Sequence, residues 1–231
     1  MKHRTLALAT VATLFFAASI HSQDSAKFDL SNYRKLAFGA KLSQVAKDTG
    51  VDPASAKTIC LKPAVVQDLE WQPLTAPHST QTDMAAVSVV TLRFYQGELA
   101  RTTVAYNRPA TEGMTVEDMI EAISVSFGKS TKPFDEVEFA GVYPEKVMVL
   151  ARWEDADYSF SLVQSSYPAT FGLIGVSKRL SQLASVAVNQ AKLDEARDSA
   201  LELIERRKKG AAESLVESEK LRKQNKVGFR P

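Results

Sequence analysis

The side chains that most often carry catalysis or bind metals are scarce in this sequence. Beyond residue 22 it has one histidine, His78, and one cysteine, Cys60. Zinc sites need several His or Cys ligands, and the members of a Ser-His-Asp triad converge from separate elements, whereas Ser79 and Asp83 share one loop with His78. The sequence therefore predicts a solvated His78 and no metal or cofactor. Cys60 lies in an apolar run, which predicts a buried thiol.

Acidic side chains are more plentiful, but their spacing fits no known catalytic or calcium-binding loop. The run Glu-Asp-Ala-Asp at 154–157 lies between two predicted strands, where Asp favours a turn, and the run Asp-Glu-Val-Glu at 135–138 is typical of a solvated face. Gly172 and Gly175 do not form a phosphate-binding glycine loop. We predict that the chain is not an enzyme. A hydrolase that uses two carboxylates is the alternative, since two acids suffice for glycoside cleavage.

Binding chemistry is better represented, in two groups of residues. Aromatic and arginine side chains, which are enriched in protein-binding hot spots, occur together in the predicted strands. This first group comprises Trp71, Arg93, Tyr95, Arg101, Arg152 and Trp153. We expect most of the aromatic rings in the core and a minority on a sheet face turned away from the helices. The second group is the basic run Arg206, Arg207, Lys208 and Lys209, which can contact an acidic partner or anionic lipid.

A hairpin and a helix between residues 86 and 128 position the first group. Two β-branched and aromatic runs flank Gly97, and we predict a three-residue loop at 96–98 that sets Tyr95 opposite Leu99. A two-residue loop would shift the pairing by one residue and set Leu92 opposite Arg101. For the helix, Thr115 is the predicted N-cap, Asp118 completes a capping box, and Gly128 ends it.

The order of elements around this hairpin repeats along the chain. A helix is predicted at 41–49 after Gly39 and another after Gly113, 74 residues later, and strands follow each helix. A second hairpin, at 147–153 and 158–164, is predicted to pair Trp153 with Tyr158 and to place Val149 on the same face. Strands are also predicted at 58–61, 65–71 and 169–177, with a loop-rich stretch at 129–146. The pattern predicts an α+β fold of two tandem helix-plus-antiparallel-β-meander units with a long C-terminal helix.

The first 22 residues have the pattern of a secretory signal peptide. A basic start precedes 13 mostly apolar residues at 6–18, and small and polar residues follow. We predict cleavage after Ser22, with Ser19 as the alternative. The predicted divisions are a signal peptide at 1–22, a first unit at 23–108, a second at 109–178 and a charged helix and tail at 179–231. An exported protein, periplasmic or secreted, is not expected to bind nucleic acid.

Charge is distributed unevenly between the body and the C-terminal segment. Residues 23–177 hold 14 basic and 19 acidic side chains, whereas residues 178–231 hold 13 and 8. Residues 179–226 contain no proline, and their apolar positions form a narrow stripe without sustained heptads. That stripe comprises Ala196, Ala200, Leu203 or Ile204, Ala211, Leu215 and Leu221. The segment therefore predicts a long exposed helix.

The helix opening Gly113-Met114-Thr115, Met119 and the closing Gly128 resemble the small outer-membrane assembly lipoproteins of the SmpA/OmlA type. Two such units in tandem, over residues 36–177, resemble the secreted β-lactamase inhibitor proteins. The resemblance implies a protein that acts by binding other proteins and has no catalytic residues. We therefore predict a non-catalytic partner of another extracytoplasmic protein, which it engages through an open sheet face or the basic C-terminal helix. Envelope attachment through that helix is a further alternative.

Overall fold

The computed structural model describes residues 28–73, 85–140, 144–166, 169–228 and 230, with the backbone alone at residues 140 and 144. The strands are β1 Asn32–Tyr33, β2 Leu36–Ala37, β3 Lys57–Cys60, β4 Val66–Trp71, β5 Val87–Tyr95, β6 Glu98–Tyr106, β7 Glu136–Ala140, β8 Pro144–Glu154, β9 Tyr158–Gln164 and β10 Phe171–Ser177. The helices are α1 Leu42–Thr49, α2 Arg108–Thr111, α3 Val116–Phe127 and α4 Lys178–Gly228, with a 3-10 turn at Pro53–Ser55. The predicted signal peptide and His78 lie outside the described residues.

Eight of the strands form one antiparallel sheet in the order β3-β4-β5-β6-β10-β9-β8-β7. Each half of the sheet is a four-stranded meander, β3 to β6 after helix α1 and β7 to β10 after helix α3. The halves join where the last strand of each, β6 and β10, pair over residues 101–105 and 172–176. The α+β class, the tandem helix-plus-meander order and the long C-terminal helix are therefore confirmed.

The first face of the sheet packs beneath α1 and α3 and forms the main core. Burying each large apolar side chain there contributes about 1.5–3 kcal/mol, which makes this face the main source of stability. Its largest fully buried members are Leu69, Leu92, Phe94, Leu99, Trp153, Phe160 and Leu162. The ring of Phe127, from α3, stacks on Phe160 with a centroid separation of 4.2 Å.

Local sequence fixes the ends of α3, as predicted. The Thr115 hydroxyl accepts a hydrogen bond from the Asp118 backbone N–H at 3.1 Å, and the Asp118 carboxylate accepts one from the Thr115 N–H at 2.8 Å. This capping box satisfies two backbone donors that an α-helix leaves free at its start. Gly128 ends the helix at φ 81°, a conformation that favours glycine. Helix α1 likewise ends at Gly50, with φ 71°.

The predicted loop of the first hairpin is wrong, but the pairing beyond it is right. The turn has two residues, Gln96 and Gly97, both with positive φ, and Tyr95 pairs with Glu98. A bulge at Ala100 then shifts the register by one, so Arg93 faces Arg101. That is the pairing that the three-residue loop had predicted. The bulge therefore substitutes for the longer loop and keeps the apolar side chains on the core face.

The second hairpin also contains a bulge that the sequence did not predict. Trp153 pairs with Phe160, not with Tyr158, and a bulge at Leu150 turns Val149 to the opposite face from Trp153. Strand β7 was missed altogether, since residues 129–146 were expected to be loop-rich. It pairs with the first half of β8, from Glu136 opposite Met148 to Ala140 opposite Pro144.

The second face of the sheet is covered by two different elements. We call β7 and residues 144–148 of β8 the flap, because they fold back over strands β10 and β6. The Phe139 ring, fully buried in the flap, lies against Gly172 of β10, where a Cβ atom would come within 2.4 Å of it. The first turns of α4 cover the other half of this face: Ala184 and Ala187 pack on Cys60.

Candidate functional site

The arginines of the predicted binding group lie on the second face, and each has an internal partner. Arg93 makes a two-pronged ion pair with Asp68, at 2.8 and 2.7 Å, and these hydrogen bonds raise the pKa of its guanidinium. Arg152 donates to Ser161 Oγ at 3.1 Å and to Asp135 Oδ2 at 2.7 Å. These contacts join neighbouring strands, so the two guanidinium groups are held by the fold.

Arg101 is more enclosed than Arg93. It donates to Thr103 Oγ1 at 3.2 Å and to the backbone oxygen of Glu138 in the flap. Burial, followed by the like charge of Arg93 on the facing strand, lowers the pKa of Arg101 to about 10. Arg101 therefore connects the sheet to the flap that covers it.

The aromatic members of the group are buried or half-buried. Trp153 is 1% exposed, and its indole N–H donates to the Gly128 backbone oxygen at 2.9 Å, which holds the end of α3 against the sheet. Trp71 packs partly against the main core, and Tyr95 packs partly against the cluster around Cys60. The sheet-face group is thus dispersed between two faces, and Trp153 presents no surface to a partner.

The residues considered for catalysis or metal binding have structural partners where the structure describes them. Cys60 is buried as predicted, and its thiol donates to the Ala64 backbone oxygen at 3.2 Å. In the run 154–157, Glu154 pairs with Lys178 at 2.8 Å, and the Asp155 carboxylate accepts backbone hydrogen bonds within the turn. Among the described residues, no group of three or more His, Cys, Asp or Glu side chains is placed to hold a metal ion.

A cleft of about 440 Å³ opens on the helix-covered side of the sheet. Its floor is formed by Tyr106 and Leu173, from the two strands at which the halves of the sheet meet. The turn of the β1–β2 hairpin, helix α2 and helix α3 form its walls. No Asp or Glu lines the cleft in the part of the chain that the structure describes.

Helix α4 is the most exposed element of the described structure. Its 51 residues give a length of about 75 Å. The last buried residue is Ala187, and from Glu195 to Gly228 every side chain is exposed. We call residues 192–228 the projecting helix. Its exposed large apolar side chains are Leu193, Leu201, Leu203, Ile204, Leu215, Val216, Leu221 and Val227.

Charge changes sign along the projecting helix. Residues 192–205 carry two basic and five acidic side chains, whereas residues 206–226 carry eight basic and three acidic ones. Ion pairs within the helix are long and exposed, such as Lys208 to Glu205 at 3.8 Å, so each contributes at most about 1 kcal/mol. The basic run Arg206, Arg207, Lys208 and Lys209 is fully accessible to another molecule.

No protein-family model, curated protein or solved structure matches the chain. Among the described helices, none combines the length and the apolar character needed to cross a membrane.

Sequence reasoning missed two parts of these surfaces. Leu201 and Val216 are exposed on the projecting helix but lie outside the predicted stripe. The available signal was that large apolar residues occur in a helix that was expected to be solvated. The cleft brings together Tyr33, Met114 and Leu173 from separate elements. Their spacing in the sequence carries no periodic signal, so only the fold shows that they meet.

Proposed function

We propose that this chain is an exported, non-catalytic binding protein whose contact surface is the projecting helix. The partner is another extracytoplasmic protein that offers an acidic groove with an apolar floor. The observation that carries the proposal is the exposure of large apolar side chains on a helix that extends about 55 Å beyond its last buried turn. The sheet face, the other predicted contact surface, is covered by the flap and by the start of α4.

The exposure of apolar side chains on the projecting helix supports a partner that covers them. Helices in proteins obtain most of their stability from packing an apolar face, whereas every side chain of the projecting helix except Asp194 is exposed. Leu193 is 66% exposed and Leu215 is 70% exposed. Docking in a groove would bury such side chains at three- and four-residue spacings, which is the usual mode of helix recognition.

The charge of the helix indicates the chemistry of the groove. The excess of basic side chains over residues 206–226 would steer the helix towards an acidic surface and raise the association rate at low salt. The same charge also suits anionic lipid, so envelope attachment is the competing outcome of the test. The cleft gives the hydrolase alternative no pair of carboxylates among its described lining.

A photo-crosslinking experiment in the producing cells tests the proposal. The full chain carries a benzophenone amino acid at Leu203 or Leu215 on the projecting helix, or at Phe134 on the body, which is 92% exposed. A charge variant, R206E/R207E/K208E/K209E, is compared with a control of equal net charge on the body. That control changes four exposed lysines to Glu: Lys35, Lys47, Lys57 and Lys132.

We expect both helix positions to crosslink to the same exported protein, and Phe134 not to do so. The basic-run variant should lose at least tenfold of the product, whereas the body control should retain it. Products from Phe134 alone, or equal products from both charge variants, would refute the projecting helix as the contact. A crosslink between two copies of the chain would replace the partner by a homo-oligomer. Basic-run-dependent binding to anionic vesicles without a protein product would favour envelope attachment.

A further inference from the structure

The cleft has the location and size of a small-molecule site and belongs to no surface in the proposed function. It opens at the junction of the two meanders, because Tyr106 comes from β6 and Leu173 from β10. Its volume of about 440 Å³ lies within the usual range for ligand pockets, about 300–1,000 Å³. The walls contribute apolar side chains, including Met114, Ile123 and Phe127.

The phenol proton of Tyr33, at the cleft, has no acceptor among the residues that the structure describes. The Tyr33 hydroxyl is buried and makes no close hydrogen bond to any residue that the structure describes. A buried polar group without a hydrogen bond costs about 1–3 kcal/mol, so native proteins retain such groups rarely. The Arg34 guanidinium lies over the Tyr33 ring, 5.8 Å from its centroid, and can only donate to the hydroxyl, so it leaves the phenol proton without an acceptor.

Both tyrosines of the cleft present neutral phenols at physiological pH. Burial raises the pKa of Tyr33 to about 12, against the opposing charge and hydrogen bond of Arg34. Burial also raises the pKa of Tyr106, and Tyr33 adds to that rise. A protonated phenol donates a hydrogen bond, so the group that completes Tyr33 is an acceptor oxygen.

We propose that the cleft binds a small, largely apolar molecule with an acceptor oxygen that accepts a hydrogen bond from the Tyr33 hydroxyl. The apolar walls provide the affinity, and the Tyr33 donor fixes the orientation of the ligand. Because Arg34 also lines the cleft, a carboxylate suits this position as well as a carbonyl, and the test distinguishes the two.

The probe for this test is prodan, a neutral naphthalene ketone whose emission reports both burial and hydrogen bonding of its carbonyl. It is titrated into the full chain and into three variants. A122W fills the mouth of the cleft from α3, and V125W places the same indole on the same helix away from the cleft. Y33F keeps the ring and removes the hydroxyl. Melting curves establish that each variant is folded, which is expected because residues 122 and 125 are both exposed.

We expect saturable 1:1 binding to the unaltered chain, with a dissociation constant in the micromolar range. A122W should weaken binding at least tenfold, and V125W should stay within twofold. Y33F should weaken binding about three- to tenfold and shift the bound emission to shorter wavelength, because the carbonyl loses its donor. No saturable binding, or equal binding by A122W and V125W, would overturn the site. Unchanged affinity and emission in Y33F would overturn the role of the hydroxyl. Tighter binding of a fatty acid than of prodan, weakened by Y33F, would support the site and identify the acceptor as a carboxylate.

Discussion

Replacing Gly172 by alanine tests whether the flap lies on the sheet. A Cβ atom added at Gly172 would come 2.4 Å from two atoms of the Phe139 ring and 3.1 Å from the Val104 backbone oxygen. The ring must therefore move away, together with the flap that carries it. Over-packing of this kind costs about 1–3 kcal/mol in the free energy of unfolding.

A double-mutant cycle identifies the clashing partner. Phe139→Ala alone should cost about 3–5 kcal/mol, because the ring is fully buried. In the double variant the ring is gone, so G172A should cost at least about 1 kcal/mol less than it does alone. Gly210→Ala, at a glycine with open space around it, serves as the control and should not destabilise the fold.

Urea denaturation followed by tryptophan fluorescence measures these differences, because Trp153 lies in the core. A change in the urea midpoint at constant slope reports a change in stability. Effects of G172A and F139A that add to within about 0.5 kcal/mol would mean that the two residues are not in contact. A neutral G172A would lead to the same conclusion, and the flap would then have to lie elsewhere.

Four further predictions concern the cap of α3, Tyr33, the projecting helix and the buried side of the first turns of α4. Thr115→Ala should lower the free energy of unfolding by about 0.5–2 kcal/mol, and Thr115→Ser should restore most of it, as measured in urea. In a phenolate absorbance titration, Tyr33 should ionise near pH 12; because folding raises its pKa, the stability it contributes is complete below pH 10 and is lost as the pH rises through 12. Ending the chain after Ala191 should move the melting temperature by no more than about 2 °C, since every described side chain beyond it except Asp194 is exposed. Ala184→Glu should instead destabilise the fold by about 2–4 kcal/mol, because it buries a charge beneath α4.

Features set by neighbouring residues could be predicted from the sequence. The capping box of Thr115 and Asp118 involves residues three apart, and Gly128 stops the helix by its own backbone conformation. Helix α4 was likewise predicted from residue 179 onward, and it continues through Gly210 because a single glycine costs only about 1 kcal/mol in an exposed helix.

Features set by distant contacts could not be predicted. Strand β7 contains Glu136 and Glu138, which indicated a solvated face. The residue that follows them, Phe139, is nevertheless fully buried against Gly172. That contact joins residues 33 apart and leaves no periodic signal. The bulges at Ala100 and Leu150 escaped prediction for a related reason, since each is needed to match apolar faces across strands.

The residues of the candidate site also differ in whether their surroundings could be predicted from the sequence. The basic run Arg206 to Lys209 could be placed on an exposed helix because its surroundings are local. The enclosure of Arg101 could not be foreseen, because the group that accepts its hydrogen bond belongs to the flap, 37 residues away. Two glycines of β10 make room for aromatic rings: Gly172 for Phe139 and Gly175 for Phe160.

Strand β10 passes into helix α4 without an intervening loop, since the strand ends at Ser177 and the helix begins at Lys178. Two hydrogen bonds of Lys178 hold this junction. Its backbone N–H donates to the Asp157 backbone oxygen at 2.8 Å, and its ammonium group donates to the Glu154 carboxylate at 2.8 Å. Helix α4 therefore continues directly from an inner strand of the sheet, β10, which lies between β6 and β9. A pull on its far end would act on the junction of the two meanders through strand β10, and on the edge strand β3 through Ala184 and Ala187.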